Sequence, residues 1–176
     1  MIAFNDCFKA AERGDAVSQN AIGAFYYEGK SVPQDYRKAL EWYLKAAEQG
    51  HLPAQFNVGL LYYTGKGTKI NYKKAFYWYL KAAEKGYCQA ECNLAFLYIR
   101  GNGTKKDFKK AFEWHLKAAE HGDVVSQNEI GVFYYQGKAI PQDYNKAFEW
   151  YLKAAEKGYS IAQFNVGRCY LEGKGV

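Results

Sequence analysis

Apolar positions along this chain fall three and four residues apart, in blocks that alternate between two kinds. The first kind carries Ile22, Phe25 and Tyr26 at helical spacing with Ser18, and its next copy carries Ala54, Val58, Leu61 and Tyr62. The second kind carries Ala39, Leu40, Tyr43, Leu44 and Ala47 against an outer side of lysines and glutamates. Both patterns predict amphipathic helices with one face turned to a core. Glycines punctuate them. Gly29, Gly65, Gly101 and Gly137 close the first helix as residues just past a helix end, and Gly50 closes the second. Asp35, Asn71, Asp107 and Asp143 stand where the second helix needs a side chain to accept its free N–H groups. Pro33 and Pro141 occupy the connecting loops in two of the copies.

The helix pair recurs every 36 residues, so that Trp42, Trp78, Trp114 and Trp150 mark one repeated position. A fixed period of this size is the signature of a stacked repeat array. Repeats are expected at 15–50, 51–86, 87–122 and 123–158, with a partial repeat at 159–176, in one array over 1–176. Residues 1–14, with Ala3 and Phe8 to Gly14 as a worn copy, read as a capping second-helix remnant with Asp6 at the tryptophan position. The fifth repeat breaks off at Gly175–Val176, so the chain reads as a segment of a longer array with an open C-terminal face for further contacts. A second period of 108 residues overlies the first: Val-Ser-Gln-Asn, Phe-Tyr-Tyr and Pro-Gln-Asp-Tyr appear in both 15–50 and 123–158.

A glycine inside the first helix, at Gly23, Gly59, Gly131 and Gly167, is replaced by Ala95 in the third copy. Such a residue costs about 1 kcal/mol against alanine. The expected return is close approach of the two helices, opposite the Ala39 and Ala46 series. The pairs Glu41–Lys45, Glu113–Lys117 and Glu149–Lys153 lie four apart in the favourable order.

The motif Ala-x-x-Asn-hydrophobic-Gly-x-x-Tyr-x-x-Gly-x-Gly, followed by Asp-Tyr-x-Lys-Ala-x-x-Trp-Tyr-x-Lys-Ala-Ala-x-x-Gly, resembles the Sel-1-like repeat, a relative of the tetratricopeptide repeat. The resemblance covers essentially the whole chain. It implies an all-α fold, a right-handed α-α superhelix of 36-residue helix-turn-helix units. It also implies an adaptor that assembles protein complexes in signalling, protein quality control or bacteria–host contact. Secreted cysteine-rich members of the family pair cysteines between helices. Here Ala47, Ala83, Ala119 and Ala155 fill the first of those places, so that scheme does not carry over.

Composition narrows the rest. Aromatic residues reach 18%, with 17 tyrosines, which suits both packing and a contact surface. A net charge of +6 permits acidic partners without requiring them. The start of the chain lacks a basic segment followed by an apolar run, so no signal peptide is expected and the location as written is cytoplasmic. No apolar run approaches a membrane span. Cys7, Cys88, Cys92 and Cys169 follow no repeat-phased pairing, in keeping with a reducing compartment.

Catalytic signals are poor, and neither catalytic residues nor a cofactor is expected. A cell-wall or lactam hydrolase is the alternative drawn from discussion of some relatives, but no Ser-x-x-Lys is present. Gly65-Lys66-Gly67-Thr68 has some look of a phosphate loop, yet it joins two helices and reads as a turn. Cys88 and Cys92 lie four apart on one helix, a spacing open to a metal. His115 and His121 belong to the far helix, and the cysteines read as buried small hydrophobes with no metal. Nucleic acid is not expected, because Lys38, Lys74, Lys110, Lys146 and the Lys45 series fall on the second helix, away from the aromatic stripe.

That stripe is the positive evidence. Beyond its core face, the first helix keeps a second apolar line: Asn20, Ala24 and Tyr27; Phe56, Leu60 and Tyr63; Cys92, Phe96 and Ile99; Asn128, Val132 and Tyr135; Phe164, Arg168 and Leu171. A solvent-facing helix should be polar there. One reading makes it a concave groove for a peptide or protein partner, built on Asn20, Tyr27, Phe56, Asn57, Tyr63, Asn93, Phe96, Asn128, Tyr135 and Asn165. By analogy with tetratricopeptide clefts, Asn57, Asn93 and Asn165 would hydrogen-bond the peptide backbone. The other reading packs these residues sideways between successive repeats, the asparagines tying the array together.

Overall fold

A computed structural model describes residues 4–176; Ala3, part of the worn first copy, lies outside them. The described residues form ten helices and no strand. They divide into two compact units, 4–87 and 88–176. The first unit holds α1 (Phe4–Glu12), α2 (Ala16–Glu28), α3 (Tyr36–Glu48), α4 (Leu52–Thr64) and α5 (Tyr72–Ala83). The second holds α6 (Cys88–Arg100), α7 (Phe108–Glu120), α8 (Val124–Gln136), α9 (Tyr144–Glu156) and α10 (Ser160–Glu172). Within each unit every helix packs on its chain neighbours, as expected of a helical-repeat array.

The stop and start signals act as their chemistry requires. Gly29, Gly65, Gly101 and Gly137 all adopt left-handed conformations, with φ of 72°, 73°, 73° and 65°. The Asp35 carboxylate accepts from Arg37 N and Lys38 N, while Asn71, Asp107 and Asp143 each accept from the N–H three residues on. α1 behaves as a second helix: Cys7 and Ala11 are buried with Ile22 of α2, and Asp6 is exposed.

Ala39, Leu40, Tyr43, Ala46 and Ala47 are buried as expected of α3, whereas Leu44 is only half-buried. The glycine inside the first helix faces something other than small residues. A Cβ on Gly23 would lie 2.5 Å from Tyr43 Cδ1, and one on Gly59 would lie 2.7 Å from Tyr79 Cδ1. On Gly131 it would lie 2.6 Å from Tyr151 Cδ1. The ring of the facing tyrosine is the first obstacle to a side chain there, and at Gly131 the Ala147 carbonyl oxygen of the alanine series also lies 3.1 Å away. In the third repeat both partners change together: Ala95 takes the glycine position and His115 the tyrosine position, both fully buried. The smaller imidazole leaves room for the methyl group.

The lysines of the second helix also differ from expectation. None of the pairs Glu41–Lys45, Glu113–Lys117 and Glu149–Lys153 is an ion pair among the described residues. Lys45, Lys117 and Lys153 instead lie over the Trp42, Trp114 and Trp150 rings at 3.9, 4.1 and 4.2 Å. Lys38, Lys74, Lys110 and Lys146 likewise cover Tyr26, Tyr62, Tyr98 and Tyr134. A lysine over a partly desolvated ring keeps its head in water and gains a cation–π contact of about 0.5–1 kcal/mol.

Candidate partner-binding surface

The stripe residues divide by what holds them. In the first unit, Asn57 Nδ2 donates to Asn20 Oδ1 at 3.1 Å, linking α4 to α2. The second unit repeats the contact, with Asn165 Nδ2 donating to Asn128 Oδ1 at 2.8 Å between α10 and α8. Asn128 and Asn165 are buried, and Asn20, Asn57 and Asn93 are half-buried. For these two pairs the geometry is a sideways tie between neighbouring first helices.

The tyrosines at the helix ends have a different setting. Tyr27 packs edge-on to Tyr36 at 5.3 Å, and Lys66 from the next loop donates to the Tyr27 hydroxyl at 3.0 Å. That hydrogen bond is the main reason the Lys66 ammonium holds its proton more firmly than an ordinary lysine. Tyr135 and Tyr144 pack at 5.2 Å in the second unit, and Lys174 donates to Tyr135 at 3.1 Å. Tyr135 in turn donates to the Glu172 carboxylate, which pairs with Lys174 at 3.0 Å. That hydrogen bond, then Lys174, holds Glu172 below the usual carboxylate range. Tyr63 meets Tyr72 at 5.4 Å with the rings tilted. Sequence reasoning missed Lys66 and Lys174; their recurrence 108 residues apart beside Gly67 and Gly175 was the available signal.

Phe56 sits between Tyr79 and Tyr87, at 5.7 and 5.6 Å, and Phe96 meets the His115 ring at 4.9 Å. Tyr27, Phe56, Tyr63, Phe96 and Tyr135 all remain half-buried, so each keeps an edge at the surface. A cleft opens in each unit along this face. In the first it is lined by Tyr27, Tyr43, Asn57 and Leu60. In the second, Ile99, Val132 and Phe133 form an apolar floor with Phe108, while Glu129, Gln136 and Lys138 supply polar groups. Lys138 Nζ lies 3.7 Å from the Phe108 ring centre, and burial pushes the Glu129 carboxyl above its ordinary range.

The cysteines separate as well. All four are free thiols; Cys7, Cys92 and Cys169 are buried, as expected of Cys92. Burial pushes the Cys92 thiol up to about 12. Cys88 differs from expectation, being half-buried at the start of α6, where a first-turn position leaves one side open. His115 is fully buried, with Nδ1 3.0 Å from Ser126 Oγ, while His121 lies half-exposed at the end of α7.

The Sel1 repeat profile matches residues 16–51, 52–87, 88–123, 124–159 and 160–176. The chain belongs to the Sel1 repeat family, and its fold class is the all-α repeat superhelix of that family. A Sel1 repeat protein from Oxalobacter formigenes is 42% identical over 93% of this chain, with a TM-score of 0.89. A protective antigen of uropathogenic Escherichia coli strains, displaying an SLR fold, is 38% identical over 100% of it, with a TM-score of 0.97. The chain spans 65% and 38% of the lengths of those two proteins. Cysteine-rich protein B of Helicobacter pylori, 24% identical over 70% of this chain and 94% of its own, shares the fold at a TM-score of 0.56. Comparison with curated proteins gives no match. Sel1 repeat proteins generally mediate protein–protein interaction and are typically non-enzymatic. No helix among the described residues is long and apolar enough to cross a membrane.

Proposed function

We propose that this chain acts as one array and a non-enzymatic adaptor, holding a peptide or protein partner on the face formed by the first helices. The observation that carries the reading is the cleft of Ile99, Phe108, Val132 and Phe133, an apolar floor beside Glu129 and Gln136. An apolar floor with a few fixed polar groups suits an apolar side chain whose flanking peptide groups need donors and acceptors. The half-buried edges of Tyr27, Phe56, Tyr63, Phe96 and Tyr135 extend the same kind of surface along the other first helices. Here the asparagine pairs act by fixing the spacing of those helices.

Selection of peptides from a displayed library on the immobilised chain tests the reading. Val132→Glu should weaken the selected peptides by about tenfold or more, equal to about 1.4 kcal/mol, by placing a charge on the apolar floor. Leu152→Ala, on the second helix α9, should leave them unchanged. Equal binding by Val132→Glu, at unchanged helicity and melting, would remove the cleft from the proposal.

A further inference from the structure

The third repeat departs from the others at three positions that come together in space. In the other repeats a glutamine stands fourth in the first helix and its Nε2 donates to a carbonyl in the last turn of the preceding helix. Gln19 donates to Ala11 O, Gln55 to Ala47 O and Gln127 to Ala119 O, each at 3.1 Å, and Gln163 to Ala155 O at 3.3 Å. The third repeat has Glu91 there, and a carboxylate has no N–H to give. Glu91 is nonetheless 2% exposed, so a charged group has been placed where a neutral amide served. Burying a carboxylate is costly unless a cation or several donors meet it.

What meets it is His121. In the first repeat, Gln49 Nε2 donates to Gln19 Oε1 at 2.7 Å. Thirty residues separate that pair, as they do Glu91 and His121, whose Oε2 and Nδ1 lie 2.9 Å apart. A neutral amide pair has thus become a carboxylate–imidazole pair in the same register. Cys88 completes the change. One turn before Glu91 on the same face of α6, it occupies a position held by Ala16, Leu52, Val124 and Ser160 elsewhere. Cys88 Sγ, the Glu91 carboxylate and the His121 ring nitrogen all lie within 4.8 Å of one another.

We propose that Cys88, Glu91 and His121 bind a divalent transition metal of the zinc class. Thiolate, carboxylate and imidazole are the donors that zinc accepts, at about 2.0–2.3 Å each, so bound ligand atoms stand roughly 3.3–3.8 Å apart. The present spread closes to that range by a shift of about 1 Å. Cys88 lies in a first helical turn and His121 is half-exposed at a helix end, where such a shift is easily made. Sulfur and nitrogen donors disfavour calcium and magnesium, which take oxygen. Two anionic ligands balance the charge of the ion, and the half-exposed side at His121 leaves the fourth position to solvent. The Cys88 thiol donates to Ala118 O at 3.6 Å, and ligation replaces that contact with release of the thiol proton to solvent. Cys92, one turn further along, is turned into the core beside Ser126 and Asp123 and takes no part.

Cobalt(II) titration of the reduced full chain tests this. Thiolate ligation gives a near-ultraviolet charge-transfer band, and zinc should displace the cobalt. The band should saturate at one metal per chain and persist in Cys92→Ala. Cys88→Ser should abolish it, and the double variant Glu91→Gln/His121→Gln should weaken binding by more than about tenfold. That double variant rebuilds the amide pair of the first repeat, so its fold is expected to survive, and an unchanged far-ultraviolet spectrum checks this. Absence of the band, its retention in Cys88→Ser, unchanged cobalt affinity in the double variant, or loss of the band in Cys92→Ala would overturn the assignment.

Discussion

Replacing the helix glycine by alanine should have opposite effects at two copies of the same position. At Gly59 an added Cβ would stand 2.7 Å from both Tyr79 Cδ1 and Cε1 and 3.2 Å from Cγ. Carbon atoms in contact prefer about 3.5–4.0 Å. The Tyr79 ring is 1% exposed and cannot swing aside, so the overlap falls on the helix spacing itself. Overpacking of this kind costs about 1–3 kcal/mol. Alanine returns about 1 kcal/mol through helix propensity. The contact is far shorter than the preferred separation, so Gly59→Ala should lose about 1–2 kcal/mol net. At Gly167 nothing lies within 4 Å of the same atom, and Gly167→Ala should gain up to about 1 kcal/mol. Urea unfolding followed by circular dichroism, with amide exchange in α4 and α10 to localise each change, gives both values. Adding Tyr79→His to Gly59→Ala rebuilds the Ala95–His115 pairing and should recover part of the loss, a coupling that a double-mutant cycle reads directly. A Gly59→Ala chain as stable as the native one, or equal losses at both sites, would refute the steric account.

Three further outcomes rest on particular residues. Ala139 holds φ of 67° where the second, third and fifth copies have Gly67, Gly103 and Gly175, so Ala139→Gly should raise the unfolding midpoint by about 1 kcal/mol of stability. His115 is fully buried and neutral, its pKa lowered by desolvation from 6.5 to about 4. The unfolded chain therefore binds the extra proton first. The stability is present above about pH 6.5 and is lost as the pH falls toward 4, on the order of 3 kcal/mol. Ala95→Gly/His115→Tyr should flatten that part of the pH profile measured by thermal melting. Alkylation at pH 8 followed by peptide mass mapping should label Cys88 before Cys92, Cys7 and Cys169, because Cys88 is half-buried and the others are buried; early labelling of Cys92 would contradict the packing.

The helices, their caps and their period were legible because each rests on local chemistry. Asp35 can cap only the helix that starts beside it, and Gly65 can end only the helix it touches. Contacts between helices were harder to read. The phase of Gly59 showed that space was short but not which residue took it, since Tyr79 and the Ala75 series both face inward. Lysines gave the same trouble. Glu41–Lys45 satisfies a helix-surface rule, yet Trp42 three residues before Lys45 offers a better partner for the ammonium. At the candidate surface, the stripe was visible as a pattern, but its two uses leave the same pattern. Distances were needed to show that Asn20 meets Asn57 and that Lys66 meets Tyr27. Glu91 in place of the glutamine of the other repeats went unremarked in the sequence, because its meaning depends on His121 being folded against it.

Methyl chemical shifts of the chain on addition of a selected peptide test the central claim most directly. An adaptor that uses its first-helix face should show the largest changes at Ile99 and Val132, smaller ones at Leu60, and none at Leu152 on α9. Changes centred on Leu152 and its second-helix neighbours, with Ile99 and Val132 unmoved, would place the binding surface on the opposite face and contradict the account.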